Sequence, residues 1–206
     1  MPPAMFFAWN FYRFRGNEIS FSRLLISSII LSLTVIVTSL QFIYPQVIPA
    51  LNRNPDALAS GELWRLITPL FIQPGGLWQC LFNFIFFISF VPLAEHFYRR
   101  KVLLIYFATG VIGQVANFYW MKTGGALSSL SGGSSTAIFG VMGSLFMYIL
   151  IFPKDFPKLY LLLSLAGFTG ATILCFFKDG HAPSLLAGGL LSWITTLGRK
   201  KPCINR

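Results

Sequence analysis

Between Leu24 and Tyr44 the chain runs without a single charged side chain, and five more blocks of that kind follow. They extend over Leu77–Leu93, Val102–Met121, Ser135–Phe152, Leu159–Phe177 and Pro183–Leu197, the last being the shortest. A helix crossing a bilayer needs about 20 predominantly apolar residues, with roughly 17 to 25 tolerated. Lipid offers no partner for a backbone N–H or C=O, so such blocks can cross it only as helices or as closed barrels. Composition agrees: of 206 residues, 55% are hydrophobic and only 11% charged, against about 25% charged in a water-soluble domain. The expected fold is an all-α membrane protein, a six-transmembrane-helix bundle over residues 24–197, with a segment 1–23 before it and a basic tail 198–206 after it. No small-residue cleavage site follows the first block in a suitable place, so a cleaved leader is not expected.

The net charge of +10 does not indicate nucleic acid, because the basic residues form no continuous face. They follow the alternation of the blocks instead. One side of the membrane collects Arg13, Arg15, Arg23, Arg99, Arg100, Lys101, Lys154, Lys158, Arg199, Lys200, Lys201 and Arg206, and the other Arg53, Arg65, Lys122 and Lys178, which is 12 against 4. Basic residues concentrate on the cytoplasmic side; the split therefore predicts both termini in the cytoplasm. Two connections are unusual. Gly61 to Pro69 mixes Trp64 and Arg65 with apolar residues, as an amphipathic segment in the outer interface would. Gly124 to Ser134 is Gly- and Ser-rich without charge, and reads as a re-entrant loop leading into the fourth span. Cys80, Cys175 and Cys203 have no spacing that implies a disulfide framework or a metal site.

Polar side chains inside spans call for a function or a packing partner. Ser184, Gly188 and Ser192 recur every four residues and form a smooth stripe for close helix packing, with Gly140 and Gly143 as a matching surface. Gln79 and Asn83 are four apart and share one face of the second span. They serve either as interhelical hydrogen bonds or as donors aimed at developing negative charge. Ser135 follows Gly133 and opens a helix, where backbone N–H groups and the dipole favour an oxyanion, although serine there also serves as a cap. A serine nucleophile needs a nearby base. Of the two histidines, His96 sits among Arg99, Arg100 and Lys101 on the cytoplasmic side, and only His181 shares the outer side with Ser135.

These residues resemble the rhomboid family of intramembrane serine proteases. Gly61-Glu62-x-Trp64-Arg65 resembles the Trp-Arg motif of the family's first loop, Gln79-x-x-x-Asn83 its His-x-x-x-Asn, and Pro92-Leu93-x-Glu95 the motif closing the second helix. Ser135 to Gly143 resembles the serine helix, and Leu185-Leu186-Ala187-Gly188 with Ser192 the histidine helix. The resemblance covers roughly Gly61 to Leu197. It implies a Ser–His dyad below the outer surface, substrates that are transmembrane helices, no metal or soluble cofactor, and oxyanion donors at Gln79, Asn83 and the Ser135 backbone N–H. Three positions depart from the pattern. Gln79 replaces a histidine, Thr136 replaces the glycine after the serine, and Leu185 stands three residues before Gly188, where the family has its catalytic histidine. On a continuous helix His181 would stand about 6 Å higher than that position.

Two readings therefore stay open: a protease with Ser135 as nucleophile and a displaced His181 as base, or a non-cleaving relative that binds membrane-protein clients in quality control or chaperoning. A transporter is disfavoured, since every charged residue fits an end, loop or tail. The partners expected are the bilayer and transmembrane substrates or clients; a monomer suffices, and compact loops fit a bacterial inner membrane.

Overall fold

The computed structural model describes residues 24–123 and 132–196. Its helices are α1 (Leu25–Ile43), α2 (Val47–Leu51), α3 (Pro55–Ala59), α4 (Gly76–Tyr98), α5 (Lys101–Lys122), α6 (Ser135–Ile151), α7 (Lys158–Phe176) and α8 (Ala182–Thr196), and among the described residues there is no strand. The expected re-entrant loop lies outside the described residues except for Gly132, Gly133 and Ser134, as do segment 1–23 and tail 198–206.

By length and composition α1, α4, α5 and α7 can each cross a membrane. Of the other two expected spans, α8 is described over Ala182–Thr196, and α6 is shorter, its 17 residues reaching about 25 Å at 1.5 Å per residue against a hydrocarbon core of about 30 Å. Burial explains the difference. α6 is the central helix, packed against α4, α5, α7 and α8, and most of its residues are buried. Leu25, Ile29 and Ile36 of α1, Trp78 and Phe82 of α4, and Leu162, Leu165 and Phe176 of α7 are instead exposed, an apolar wall too broad to leave facing water.

The centre is held by backbone rather than by large side chains. A Cβ on Gly188 would strike the Gly140 carbonyl, and one on Gly143 would strike the Leu185 carbonyl, so α6 and α8 touch main chain to main chain. Gly140 also receives the Thr109 side chain of α5. Around this seam Phe87, Tyr98, Tyr106, Ile138, Val141, Leu145 and Ile149 fill the space between α4, α5 and α6. The Tyr98 hydroxyl lies 2.7 Å from both the Ser144 carbonyl and Ser192 Oγ, tying the end of α4 to α6 and α8.

α4 was expected to stop near Leu93 but continues through Pro92 to Tyr98. A proline removes a single ladder donor, and packed membrane helices tolerate that loss. The extra turn delivers Glu95 to the start of α1, where Leu24 supplies no side-chain cap. The buried Glu95 carboxylate accepts from Ile26 N at 3.0 Å, Ser27 N at 2.8 Å and Ser27 Oγ at 2.5 Å. It thus caps α1 from another helix and meets the positive end of its dipole.

The connection from α1 to α4 has the mixed character expected of Gly61 to Pro69, though as two 3₁₀ turns, Leu63–Leu66 and Thr68–Leu70. Leu63, Trp64 and Ile67 point outward while Arg65 is buried. Its guanidinium donates to Glu62 Oε2 at 2.6 Å, the Pro49 carbonyl at 3.1 Å and the Asn52 carbonyl at 2.9 Å. Arg53 reaches α5, its Nε donating to Gln114 Oε1 at 2.6 Å. Burial lowers the pKa of that guanidinium to about 10.

Because backbone cannot swing aside as a side chain can, Gly188→Val should cost about 3 kcal/mol. A thermal unfolding curve in detergent checks this against Gly170→Ala, where a Cβ meets open space and the midpoint should hold or rise.

Candidate active site

His181 is set by the way α7 ends. Lys178 takes φ +58, its N–H donating to the Cys175 carbonyl at 3.1 Å while Asp179 N donates to the Leu174 carbonyl at 3.0 Å. That pair of bonds is a Schellman ending with lysine in the left-handed position usually given to glycine. The turn is then pinned to α5: Asn117 Nδ2 donates to the Gly180 carbonyl at 3.1 Å, and a Cβ on Gly180 would strike Asn117 Oδ1. His181 follows as the last residue before α8, its carbonyl accepting from Leu185 N at 3.1 Å. Pro183 thus falls in the first helical turn, as its fixed φ and missing donor favour.

Ser135 is set by the loop before it. Gly133 has φ +135, a region that side chains avoid, and its N–H donates to the Pro69 carbonyl at 2.7 Å. Ser134, at the N-cap position, makes no side-chain cap bond. Its hydroxyl accepts from Gln73 Nε2 at 3.2 Å. Among the described residues no side chain caps the first turn of α6, where amide donors favour an anion.

The two halves meet with His181 Nε2 3.0 Å from Ser135 Oγ. The imidazole packs on Phe139, ring centroids 4.7 Å apart at 39°, and its Nδ1 lies 3.3 Å from Asp179 Oδ1. The same oxygen accepts from the His181 backbone N–H at 2.9 Å. Hydrogen bonding from the imidazole holds the Asp179 carboxyl below the usual carboxylate range, against the opposing effect of burial. The His181 and Asp179 side chains remain 39% and 36% exposed.

The 6 Å displacement expected for His181 does not keep it from Ser135, and the reason is the register of the small-residue stripe. Leu185 is buried with its carbonyl against Gly143, one turn further along α8 than the serine contact. Ser184, three residues after His181, takes the tight position: a Cβ on Gly113 of α5 would strike Ser184 Oγ and Thr136 Cγ2 together. Gly113 thereby absorbs the bulk of both residues, including the threonine that departs from the family pattern.

Gln79 and Asn83 both turn their amides toward Gly133, to 2.5 and 3.4 Å from where its Cβ would be. Each already has a partner. Gln79 Nε2 donates to the Gly132 carbonyl at 2.8 Å and its Oε1 accepts from Gly75 N at 2.6 Å. Asn83 Nδ2 donates to Gln73 Oε1 at 2.6 Å. An amide nitrogen carries two hydrogens, so each spends one here. Gln73 in turn exchanges backbone bonds with the Gln41 amide of α1, at 2.7 and 2.8 Å. His96 stands 17 residues beyond Gln79 on α4, about 26 Å along the helix, and packs edge-on against Phe97.

Sequence reasoning missed Asp179, Asn117, Gln73, Gln41 and Gly113. Asn117 and Gln41 carried the signal used for Gln79, a polar side chain inside an apolar block. Asp179 carried only its nearness to His181, and Gly113 nothing beyond being a glycine in a helix. Gly113→Ala should lower both the unfolding midpoint and any serine reactivity. The triple variant Gly113→Ala/Thr136→Gly/Ser184→Gly should recover part of the loss, because these residues share one space and their effects are coupled.

The sequence model of the family described as "Rhomboid domain" matches residues 60–197. The chain is 28% identical over 146 residues to "Putative rhomboid protease YdcA" of Bacillus subtilis (strain 168), covering 66% of this chain and 69% of that protein. It is 29% identical over 143 residues to "Rhomboid protease GluP" of the same organism, covering 66% of this chain and 27% of that protein. It is 33% identical over 101 residues to "Rhomboid-like protease 2" of Toxoplasma gondii, covering 48% of this chain and 34% of that protein. The chain thus spans about a quarter to a third of the length of the last two relatives. With a family match that runs over residues 60–197 and an all-helical bundle carrying four apolar helices of spanning length, this chain is an integral membrane protein that belongs to the rhomboid family.

Proposed function

We propose that this protein is an intramembrane serine endopeptidase that cuts transmembrane segments of other membrane proteins, with Ser135 as nucleophile and His181 as base. The observation that carries the reading is the 3.0 Å contact between His181 Nε2 and Ser135 Oγ, the reach that proton transfer requires. Serine Oγ attacks the substrate carbonyl carbon while its proton passes to Nε2. The tetrahedral oxyanion is met by the Ser135 backbone N–H and by the second amide hydrogens of Gln79 and Asn83. The C–N bond then breaks as Nε2 returns the proton to the leaving amine. Water repeats the sequence on the acyl-enzyme, releasing the acid and restoring both residues.

The rival reading, a relative that holds clients without cutting, drew its support from Leu185 at the expected histidine position. An imidazole at hydrogen-bond distance from the serine weighs against it. Six spans with both termini cytoplasmic are part of the same proposal, resting on the 12-to-4 split of basic residues. On that topology the membrane unit is residues 24–197, flanked by the basic segments 1–23 and 198–206, and the loop 124–134 enters the membrane before α6. The dyad then faces the outer side. A bacterial inner membrane is the proposed location, in line with relatives from Bacillus subtilis.

A fluorescent fluorophosphonate tests the reading in membranes. Wild-type protein should label, Ser135→Ala should not, and His181→Ala should label at least about 100-fold more slowly. Folded wild-type protein that stays dark beside a labelled control protease overturns the proposal.

A further inference from the structure

A serine and a histidine make a working pair only if the imidazole presents an unprotonated Nε2 to the hydroxyl. Which ring nitrogen carries the proton is set by the hydrogen bond that the other one makes. Left to solvent, a neutral histidine favours the opposite tautomer, with the proton on Nε2. His181 is 39% exposed, so water can compete for both nitrogens. Phe139 covers one face of the ring, but an aromatic face does not distinguish Nδ1 from Nε2.

A carboxylate does distinguish them. Asp179 Oδ1 lies 3.3 Å from His181 Nδ1, on the side of the ring away from Ser135. An ionised carboxylate accepts and cannot donate, so it favours the ring form with its proton on Nδ1. The carboxylate is also fixed in place. Oδ1 accepts from the His181 backbone N–H at 2.9 Å, Asp179 N is bonded to the Leu174 carbonyl at 3.0 Å, and Asn117 grips the next carbonyl at 3.1 Å. The adjacent Lys178 ammonium donates to the Thr123 carbonyl at 3.3 Å, which directs that cation to another acceptor.

We propose that Asp179 is a positioning residue for this active site: its carboxylate selects the Nδ1–H tautomer of His181 and orients the ring so that Nε2 faces Ser135 Oγ. The arrangement Ser135–His181–Asp179 is a triad in which the acid comes from the same turn as the base, two residues away. This deepens the protease reading and rests on it. The carboxylate is one-third exposed, so its effect should be well below the roughly 10⁴-fold that a buried triad carboxylate contributes to kcat.

The experiment uses the full-length protein and a fluorophosphonate as probe. Asp179→Asn retains an oxygen acceptor for the His181 backbone N–H and removes the charge, whereas Asp179→Ala removes both. Saturation kinetics of labelling should show the maximal rate down about 10-fold in Asp179→Asn with half-saturation unchanged, a larger drop in Asp179→Ala, and partial recovery in Asp179→Glu. Nitrogen-15 NMR of histidine-labelled protein, in which His96 is the other histidine, should show His181 protonated on Nδ1 in the wild type and shifted toward Nε2 in Asp179→Asn. If Ser135→Ala abolishes labelling and His181→Ala slows it at least about 100-fold while Asp179→Asn matches wild type in rate and tautomer, the positioning role is overturned and the protease reading stands. If wild-type protein does not label but its tautomer depends on Asp179, the protease reading falls and the positioning of His181 stands.

Discussion

The main-chain contact between α6 and α8 is the constraint on which everything else depends. Helices in lipid gain nothing from hiding apolar side chains from one another, since the surrounding tails are equally apolar. They associate by close packing, and the closest packing is backbone on backbone. Gly140, Gly143 and Gly188 permit it, and that contact brings the first turns of both helices, with Ser135 and the residue before Ala182, to the same end of the bundle. The central helix α6 can then be short, because the longer helices α1, α4 and α7 around it meet the lipid.

Polar groups near that end are distributed by a second constraint, the cost of leaving a buried donor or acceptor without a partner. Gln41, Gln73, Asn83 and Ser134 form one connected set, and Gln79 joins Gly75 to Gly132. These bonds hold the glycine loop against α4 and so fix the start of α6. On the opposite wall Asn117 holds the turn that carries His181. Serine and histidine thus arrive from two independently anchored loops, and the distance between them reflects how those loops are pinned rather than any local sequence preference. The same logic explains Glu95, a buried acid accepted because it satisfies three donors at the start of α1.

Much of the fold was legible in the sequence. The apolar blocks predicted the helices at Leu25–Ile43, Lys101–Lys122, Ser135–Ile151 and Lys158–Phe176 to within a residue or so. The second block fell short at Leu93 because the charge of Glu95 lies close beyond it, whereas the helix runs on to Tyr98 with that carboxylate buried and paired. The serine was legible because glycine before it and small residues after it leave a specific pattern. The histidine's partnership was harder to read. Ser184, Gly188 and Ser192 repeat at one spacing, so the stripe looks the same after a slip of four residues. Matching on Gly188 puts Leu185 at the place of the base, whereas matching on Ser184 puts His181 there.

By itself the sequence determined that this chain lives in lipid, where its helices run and which small residues let them touch, because those follow from hydropathy and side-chain size along a single helix. Only the tertiary structure decided the register of α8 against α5 and α6, since Ser184 and Gly188 are equally small and their roles differ only in what they face. Ser184 meets Gly113 and Gly188 meets the Gly140 carbonyl. From that choice follow the distance from His181 to Ser135 and the place of Asp179 behind the imidazole, neither of which any stretch of sequence contains.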